Sequence, residues 1–359
     1  NFFYKLDTLI LFGEGKLNIV HIGDSHIQAD YVSGQLRKHF QSMAWGLNGG
    51  RGFIFPVSLA KTNNPWNYKV EYTGEWEYCK NVQRNKTCTI GLAGFMASTT
   101  SKEASLNIRF VEEGYPQYYF TSVKIFHAMD TANWEIQPTD KTLEYQIFHN
   151  PELGYSQIYF FEEQSSLHLN ITQKTDATEY TLYGLSLDND DAGIVYHSAG
   201  VNGADVESWL RCQQLTQDLQ VINPDFVIIS LGTNDSYTSS FNASDFEQNM
   251  KELLRRVKTV APDAVVLWVT PGDNYRRRRY LNYSTEKATK SILKVAAEEN
   301  IIVWNFFDIM GHLNSILKWY NVGLTANDKL HYTQQGYEFQ GDLMFNAFLK
   351  AYNQHIEKL

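Results

Sequence analysis

No stretch of the 359 residues offers the roughly 18 to 20 apolar side chains that a membrane-spanning helix needs; Thr8 to Phe12 (TLILF) is far too short. A basic excess is missing as well. Lys and Arg number 31 against 40 Asp and Glu, a formal net charge of −9. The chain therefore lacks the cationic face with which a nucleic-acid binder displaces counterions, and no nucleic-acid partner is expected. Cysteine is scarce, at three. Cys79 and Cys88 bracket KNVQRNKT among short strand-like runs. A hairpin disulfide, which would imply an oxidising compartment, and a pair of reduced thiols both remain open. Cys212 reads as a small hydrophobe in a helix. His-Glu-x-x-His does not occur, and His21 and His26 are separated by a tight turn rather than held at ligand spacing, so no metal and no other cofactor is expected.

What is present is a large apolar complement. Hydrophobic residues make up 43% and aromatic residues 14%, enough to fill a sizeable interior in a chain longer than one core usually serves. Five runs read as strands buried on both faces: Leu17 to Gly23, Gly193 to Ser198, Phe226 to Leu231, Val265 to Thr270 and Ile301 to Phe306. They are continuous and β-branched rather than alternating, as in a parallel sheet covered by helices. Helical patterns follow them at Tyr31 to Met43, Ala204 to Leu219, Ser244 to Val260, Ser284 to Glu299 and Thr333 to Tyr352. The alternation predicts a doubly wound, flavodoxin-like α/β/α sandwich on a parallel five-stranded sheet, with its ligand site outside the carboxyl ends of the strands.

The rhythm fails between the first helix and the second strand. Residues 65–190 are aromatic-rich, with short runs at Tyr68 to Tyr72, Leu106 to Phe110, Ser122 to Phe126, Gln157 to Phe161, Leu167 to Ile171 and Tyr180 to Leu187. That spacing predicts an antiparallel β-sandwich inserted into an α/β domain formed by residues 1–64 and 191–359. Trp66, Trp76 and Trp134 in the insert are flat rings on which a sugar could stack, although core packing is the better reading.

The first strand ends at Gly23-Asp24-Ser25-His26, which places Ser25 in a turn at the carboxyl edge of the sheet. A serine hydroxyl is a poor nucleophile at neutral pH and needs a base within hydrogen-bond reach, itself oriented by a third group. Asp328-Lys329-Leu330-His331 supplies both from one short segment, because an aspartate three residues before a histidine in a turn or first helical turn can reach the imidazole. Gly232-Thr233-Asn234-Asp235 ends the third strand, so the Asn234 amide projects from the same edge. The stretch Gly200-Val201-Asn202-Gly203-Ala204 ends the second, where a glycine lets its N–H approach a ligand closely. With the Ser25 N–H these make a three-donor hole for a developing oxyanion. His21 lies in a strand and reads as packed; His26 reads as a pocket wall.

Together, HIGDSH around Ser25, GVNGA around Gly203, GTND around Asn234 and DKLH around His331 resemble the four ordered blocks of the SGNH, or GDSL-type, hydrolases. The resemblance implies that Ser25 is the nucleophile, His331 the general base and Asp328 its orienter, with Ser25 N–H, Gly203 N–H and Asn234 as oxyanion donors. Gly-x-Ser-x-Gly, the signature of the other common α/β hydrolase class, is absent. GDSHIQAD, the nearby NGGRGFIFP (Asn48 to Pro56) and the inserted β domain together look like the peptidoglycan O-acetylesterase branch. That implies a bacterial serine esterase, secreted, periplasmic or on the cell surface, acting on an acetylated glycan or small ester. The sequence begins at Asn1 rather than at methionine, which is compatible with a removed export signal or lipoprotein anchor. Deacetylation of another polysaccharide, acyl transfer to a glycan hydroxyl and an inert glycan-binding protein are the alternatives. The complete set Ser25, Asp328, His331 and Asn234 weighs against the last. Two further features bear on the substrate. Arg276, Arg277, Arg278 and Arg279 follow the fourth strand and could attract an anionic polymer, against the plainer reading of a solvated charge run. Asn48 to Gly52 (NGGRG) lacks the ending of a P-loop and reads as a turn near the active-site wall. The oligomeric state is not legible.

Overall fold

Strand Lys16–Gly23 forms the second member of a five-stranded sheet, flanked by Gly193–Gly200 on one side and by Phe226–Ser230, Val265–Val269 and Ile302–Trp304 in turn on the other. All four pairings are parallel, with Gly23 level with both Gly200 and Ser230. The computed structural model describes residues 2–358 apart from 112–115, 177–178 and 239. Numbered along the chain the strand order is 2-1-3-4-5, which puts the ligand crevice at the switch between the first and third strands. Ser25 follows the first of these and Asn234 the third.

Alternate residues of each strand feed opposite layers, as period-two pleating requires. Ile19 and Ile228 pack with Val32, Leu36, Phe40, Met344 and Phe345 from helices Tyr31–Gln41 and Gln334–Ile356. Val20, Ile22, Val227 and Ile229 pack with Leu253, Leu254, Ile292 and Val295 from helices Ala243–Val260 and Tyr283–Glu299. Helix Phe2–Phe12, not anticipated from the sequence, adds Phe2, Leu6 and Leu9 to the first layer.

Between helix Tyr31–Gln41 and strand Gly193–Gly200 the chain builds two antiparallel sheets. One runs Glu77–Lys80, Phe95–Thr99, Tyr180–Asp188, Phe120–His127, Tyr155–Gln164, Tyr145–Asn150, with Gly52–Ile54 also paired to Tyr180–Asp188; the other runs Tyr68–Thr73, Glu103–Phe110, Ser166–Gln173, Trp134–Pro138. Trp134 is buried and Trp76 packs on Tyr180, so these two rings serve the core. Cys79 and Cys88 are bonded as a disulfide, while Cys212 is buried and free.

Three local expectations are corrected. The helix read as Ala204 to Leu219 is two, Val206–Leu210 and Leu215–Ile222. The insert docks at the break: Gln214 N–H donates to Ile90 O, Ile90 N–H to Gln213 Oε1 and Arg211 Nε to Asn81 O, so groups near the break pair outward instead of continuing one helix. The last strand stops at Trp304 because the Asn305 side chain caps helix Phe306–Met310. The NGGRG turn is also not at the active-site wall. Gly49 N–H donates to Ile194 O and Asn48 pairs with Ile194, near the amino end of the strand whose carboxyl end is Gly200.

One buried ionic cluster ties these parts together. Asp30, 1% exposed, accepts two hydrogen bonds from Arg37, at 3.0 and 3.1 Å, and one each from Arg51 and Asn67, both at 2.6 Å, as well as one from Ser33. Arg37 also donates to Tyr196 O and Ser198 Oγ. Burial alone would raise the Asp30 pKa, but the two guanidiniums outweigh it and hold the carboxyl below its usual range. Asp30→Asn keeps a residue that tolerates the local left-handed backbone (φ 56°) but leaves two buried guanidiniums without a counter-charge. The expected cost is about 3 to 5 kcal/mol in urea denaturation; a loss under about 1 kcal/mol would contradict this account.

Candidate active site

The turn that carries Ser25 is built by close approach. Asp24 caps the one-turn helix Ser25–Gln28 by accepting the His26 N–H at 2.9 Å. Gly200 lies against this turn so tightly that a Cβ there would sit 2.3 Å from Gln28 N. The neighbouring loop is tied in by Asn202 N–H, which donates to Gln28 Oε1 at 2.7 Å. Ser25 is left half-buried at the rim.

The partner segment is an Asx-type turn. Asp328 Oδ1 accepts the N–H groups of Leu330 and His331, each at 3.0 Å, while Oδ2 lies 2.7 Å from His331 Nδ1. An ionised carboxylate only accepts, so Nδ1 carries the proton and Nε2 is left as the acceptor. Nε2 lies 2.9 Å from Ser25 Oγ, closing a line from Asp328 through His331 to Ser25 across a separation of 306 residues. Such a line can take a proton from the hydroxyl while the imidazolium is stabilised from behind.

Environment separates the titratable groups. The hydrogen bond to Asp328 raises the His331 pKa, against partial burial, with the negative charges of Asp328 and Asp24 adding to the rise. Asp328 is held below the usual carboxylate range because three hydrogen bonds, led by the imidazole's, outweigh burial. His26 is pushed down to about 3 by burial and then by His331, whose ring centroid is 5.3 Å away, and its Nδ1 meets Tyr337 OH at 2.9 Å. It therefore stays neutral beside His331. Asp24 is pushed up to about 7 by burial. His21 sits inside the sheet between Tyr196 OH and Ser230 Oγ, as a packed residue should.

Asn234 stands at the same edge. Its Nδ2 donates to Asp24 Oδ2 at 3.2 Å and to Ala204 O at 3.0 Å, so both amide hydrogens are engaged and a ligand oxygen must share or displace one. Gly203 has φ 81° with open space where a Cβ would be, and neither its N–H nor that of Ser25 has a protein acceptor among the described residues. Asp235, whose carboxylate takes the Val206 N–H at 3.0 Å, joins the turns after the second and third strands. The sequence reading missed this link, and it missed Asp24 and Tyr337; for the first two the adjacent GDS and GTND letters were the available signal. The four arginines lie on a hairpin beside the site, described below.

Residues 172–339 match the model of the GDSL-like Lipase/Acylhydrolase family. This part of the chain is similar to that family. The matched span holds Gly203, Asn234, Asp328 and His331, while Ser25 lies on the far side of the inserted sheets. The match supports a carboxylic ester hydrolase. Its fold is similar to that of a solved structure described as a peptidoglycan O-acetylesterase in action, at 21% identity and a TM-score of 0.75, covering 98% of this chain and 96% of the other. Two acetyl xylan esterases, one from Geobacillus stearothermophilus, are similar over smaller shares. They show 21% and 17% identity and TM-scores of 0.35 and 0.34, covering 44% and 45% of this chain and 81% and 73% of theirs. No curated protein matches the sequence.

By NMR, the His331 imidazole is expected to titrate above the ordinary histidine value of about 6.5, and Asp328→Asn should bring its midpoint down. Because the folded pKa is raised, the Asp328–His331 pair adds stability below the unfolded pKa that is lost as pH rises through the folded one. An unchanged midpoint in the variant would refute the assigned cause.

Proposed function

We propose that the acylhydrolase removes acetyl groups from a carbohydrate, with O-acetylated peptidoglycan the preferred substrate, through an acyl-enzyme on Ser25. The observation that carries this reading is the unbroken line from Asp328 Oδ2 to His331 Nδ1 and from His331 Nε2 to Ser25 Oγ. In the first half-reaction His331 takes the hydroxyl proton as Oγ attacks the acetyl carbonyl, and returns that proton to the departing glycan oxygen. In the second, a water loses a proton to His331 and attacks the acyl-serine, the acyl–Oγ bond breaks to release acetate, and His331 returns the proton to Ser25 Oγ. The N–H groups of Ser25 and Gly203 and the amide of Asn234 face the developing oxyanion, and loss of one such donor costs about 10² to 10³ in kcat. His26, whose ring lies beside that of His331, is taken as a wall of the substrate pocket.

The acetyl preference draws on the fold likeness to a protein described as a peptidoglycan O-acetylesterase. Residues 65–190 are taken as the inserted unit and residues 1–64 with 191–359 as the hydrolase. Location outside the bacterial cytoplasm is supported by the Cys79–Cys88 disulfide, a bond that persists in oxidising compartments.

Acetate release from p-nitrophenyl acetate and from O-acetylated cell wall tests this reading. Ser25→Ala should lower kcat at least about 10⁴-fold and Asp328→Asn by about 10⁴. The acid limb of kcat/KM should have its midpoint above the ordinary histidine pKa, since activity needs His331 unprotonated. A Ser25→Ala protein as active as the parent would end the proposal.

A further inference from the structure

Arg276 to Arg279 form the tip of a two-stranded hairpin, Tyr275–Arg276 paired with Tyr280–Leu281. Arg279 N–H donates to Arg276 O at 3.2 Å, closing a turn whose central residues, Arg277 and Arg278, have φ of 51° and 66°. A turn with two positive φ values ordinarily holds Asn-Gly. Here two long cations hold that conformation, and strain of this kind gathers where a segment has a task.

The hairpin is fixed to both halves of the site. Tyr275 N–H donates to Lys329 O at 2.9 Å, inside the segment that carries Asp328 and His331. On the other side Arg277 N–H donates to Tyr237 OH at 2.9 Å, and Asn282 Nδ2 to Ser236 O at 3.1 Å, just beyond Asn234. Between them opens a cleft of about 550 Å³ lined by Tyr237, Thr238, Arg276, Arg277 and Tyr280.

No ion pair neutralises these arginines among the described residues, although the chain carries a net charge of −9. Arg276 Nε is buried and has no hydrogen-bond partner. Arg276 and Arg277 both line the cleft, and a carboxylate is the planar acceptor that a guanidinium fork fits.

We propose that this cleft is a subsite for a carboxylate carried by the ester substrate, held by Arg276 and Arg277, so that the acylhydrolase selects acetylated glycans that are acidic. The inference rests on the esterase reading above and narrows it to a substrate class.

The test compares one O-acetylated glycan bearing carboxylates with the same glycan after amidation of its carboxyl groups. For the parent, amidation should lower kcat/KM at least tenfold, mostly through KM, and added salt should erode the preference. In the Arg276→Gln/Arg277→Gln protein, with thermal unfolding confirming the fold, the ratio between the two glycans should shrink to within twofold. A parent that treats both glycans alike, or a double variant that keeps the preference, overturns the subsite. A separate arm needs no turnover: Ser25→Ala should bind the deacetylated, carboxylated glycan at least tenfold more tightly than its amidated form, and equal affinities count against the subsite. If instead Ser25→Ala still released acetate from p-nitrophenyl acetate, the esterase reading would fall on its own.

Discussion

Asp30 is a carboxylate almost wholly removed from water, and it persists there because two guanidiniums and an amide surround it. Burying one ion alone would be prohibitive; burying three is tolerable only with complete hydrogen bonding around the acid. The geometry that satisfies this condition joins the molecule's parts. Arg37 carries the cluster to the strand beside the one that leads to Ser25, through Tyr196 O and Ser198. Arg51, Asn67 and Trp66, whose Nε1 donates to Asp30 O at 3.3 Å, carry it toward the inserted sheets. Asp30 follows the Ser25–Gln28 turn after Ala29 alone, so the cluster anchors the chain next to that turn.

Around Ser25 the protein uses environment to give similar side chains different charge states. Asp328 sits at a half-exposed turn with three donors and stays ionised; Asp24, buried behind the serine, is pushed toward neutrality. His331 is made more basic by its aspartate, and His26, close by, is kept neutral by burial. Two imidazoles in near contact could not both be protonated cheaply. The arrangement reserves the proton for the ring that faces the hydroxyl.

Much of this was legible in the letters. Five continuous β-branched runs announced a covered parallel sheet, and the alternation with helices fixed its class, because burial on both faces leaves no room for a polar period. Ser25, Asp328, His331, Gly203 and Asn234 could be named because their chemistry needs particular residue types at strand ends and in turns. The Asp30 cluster could not, since an aspartate, two arginines and an asparagine spread over residues 30–67 carry no periodic signature. Nor could the interruption at Arg211 to Gln214, where contacts with a distant segment override a helical pattern.

The hydroxyl and the imidazole that meet at 2.9 Å come from positions 306 residues apart. Everything between them, including both antiparallel sheets, must be made and docked before the pair exists. A chain that stops short of residue 331 therefore leaves the Ser25 hydroxyl without this partner. In this architecture the meeting of hydroxyl and imidazole draws on segments at opposite ends of the sequence, so neither segment alone can form the pair.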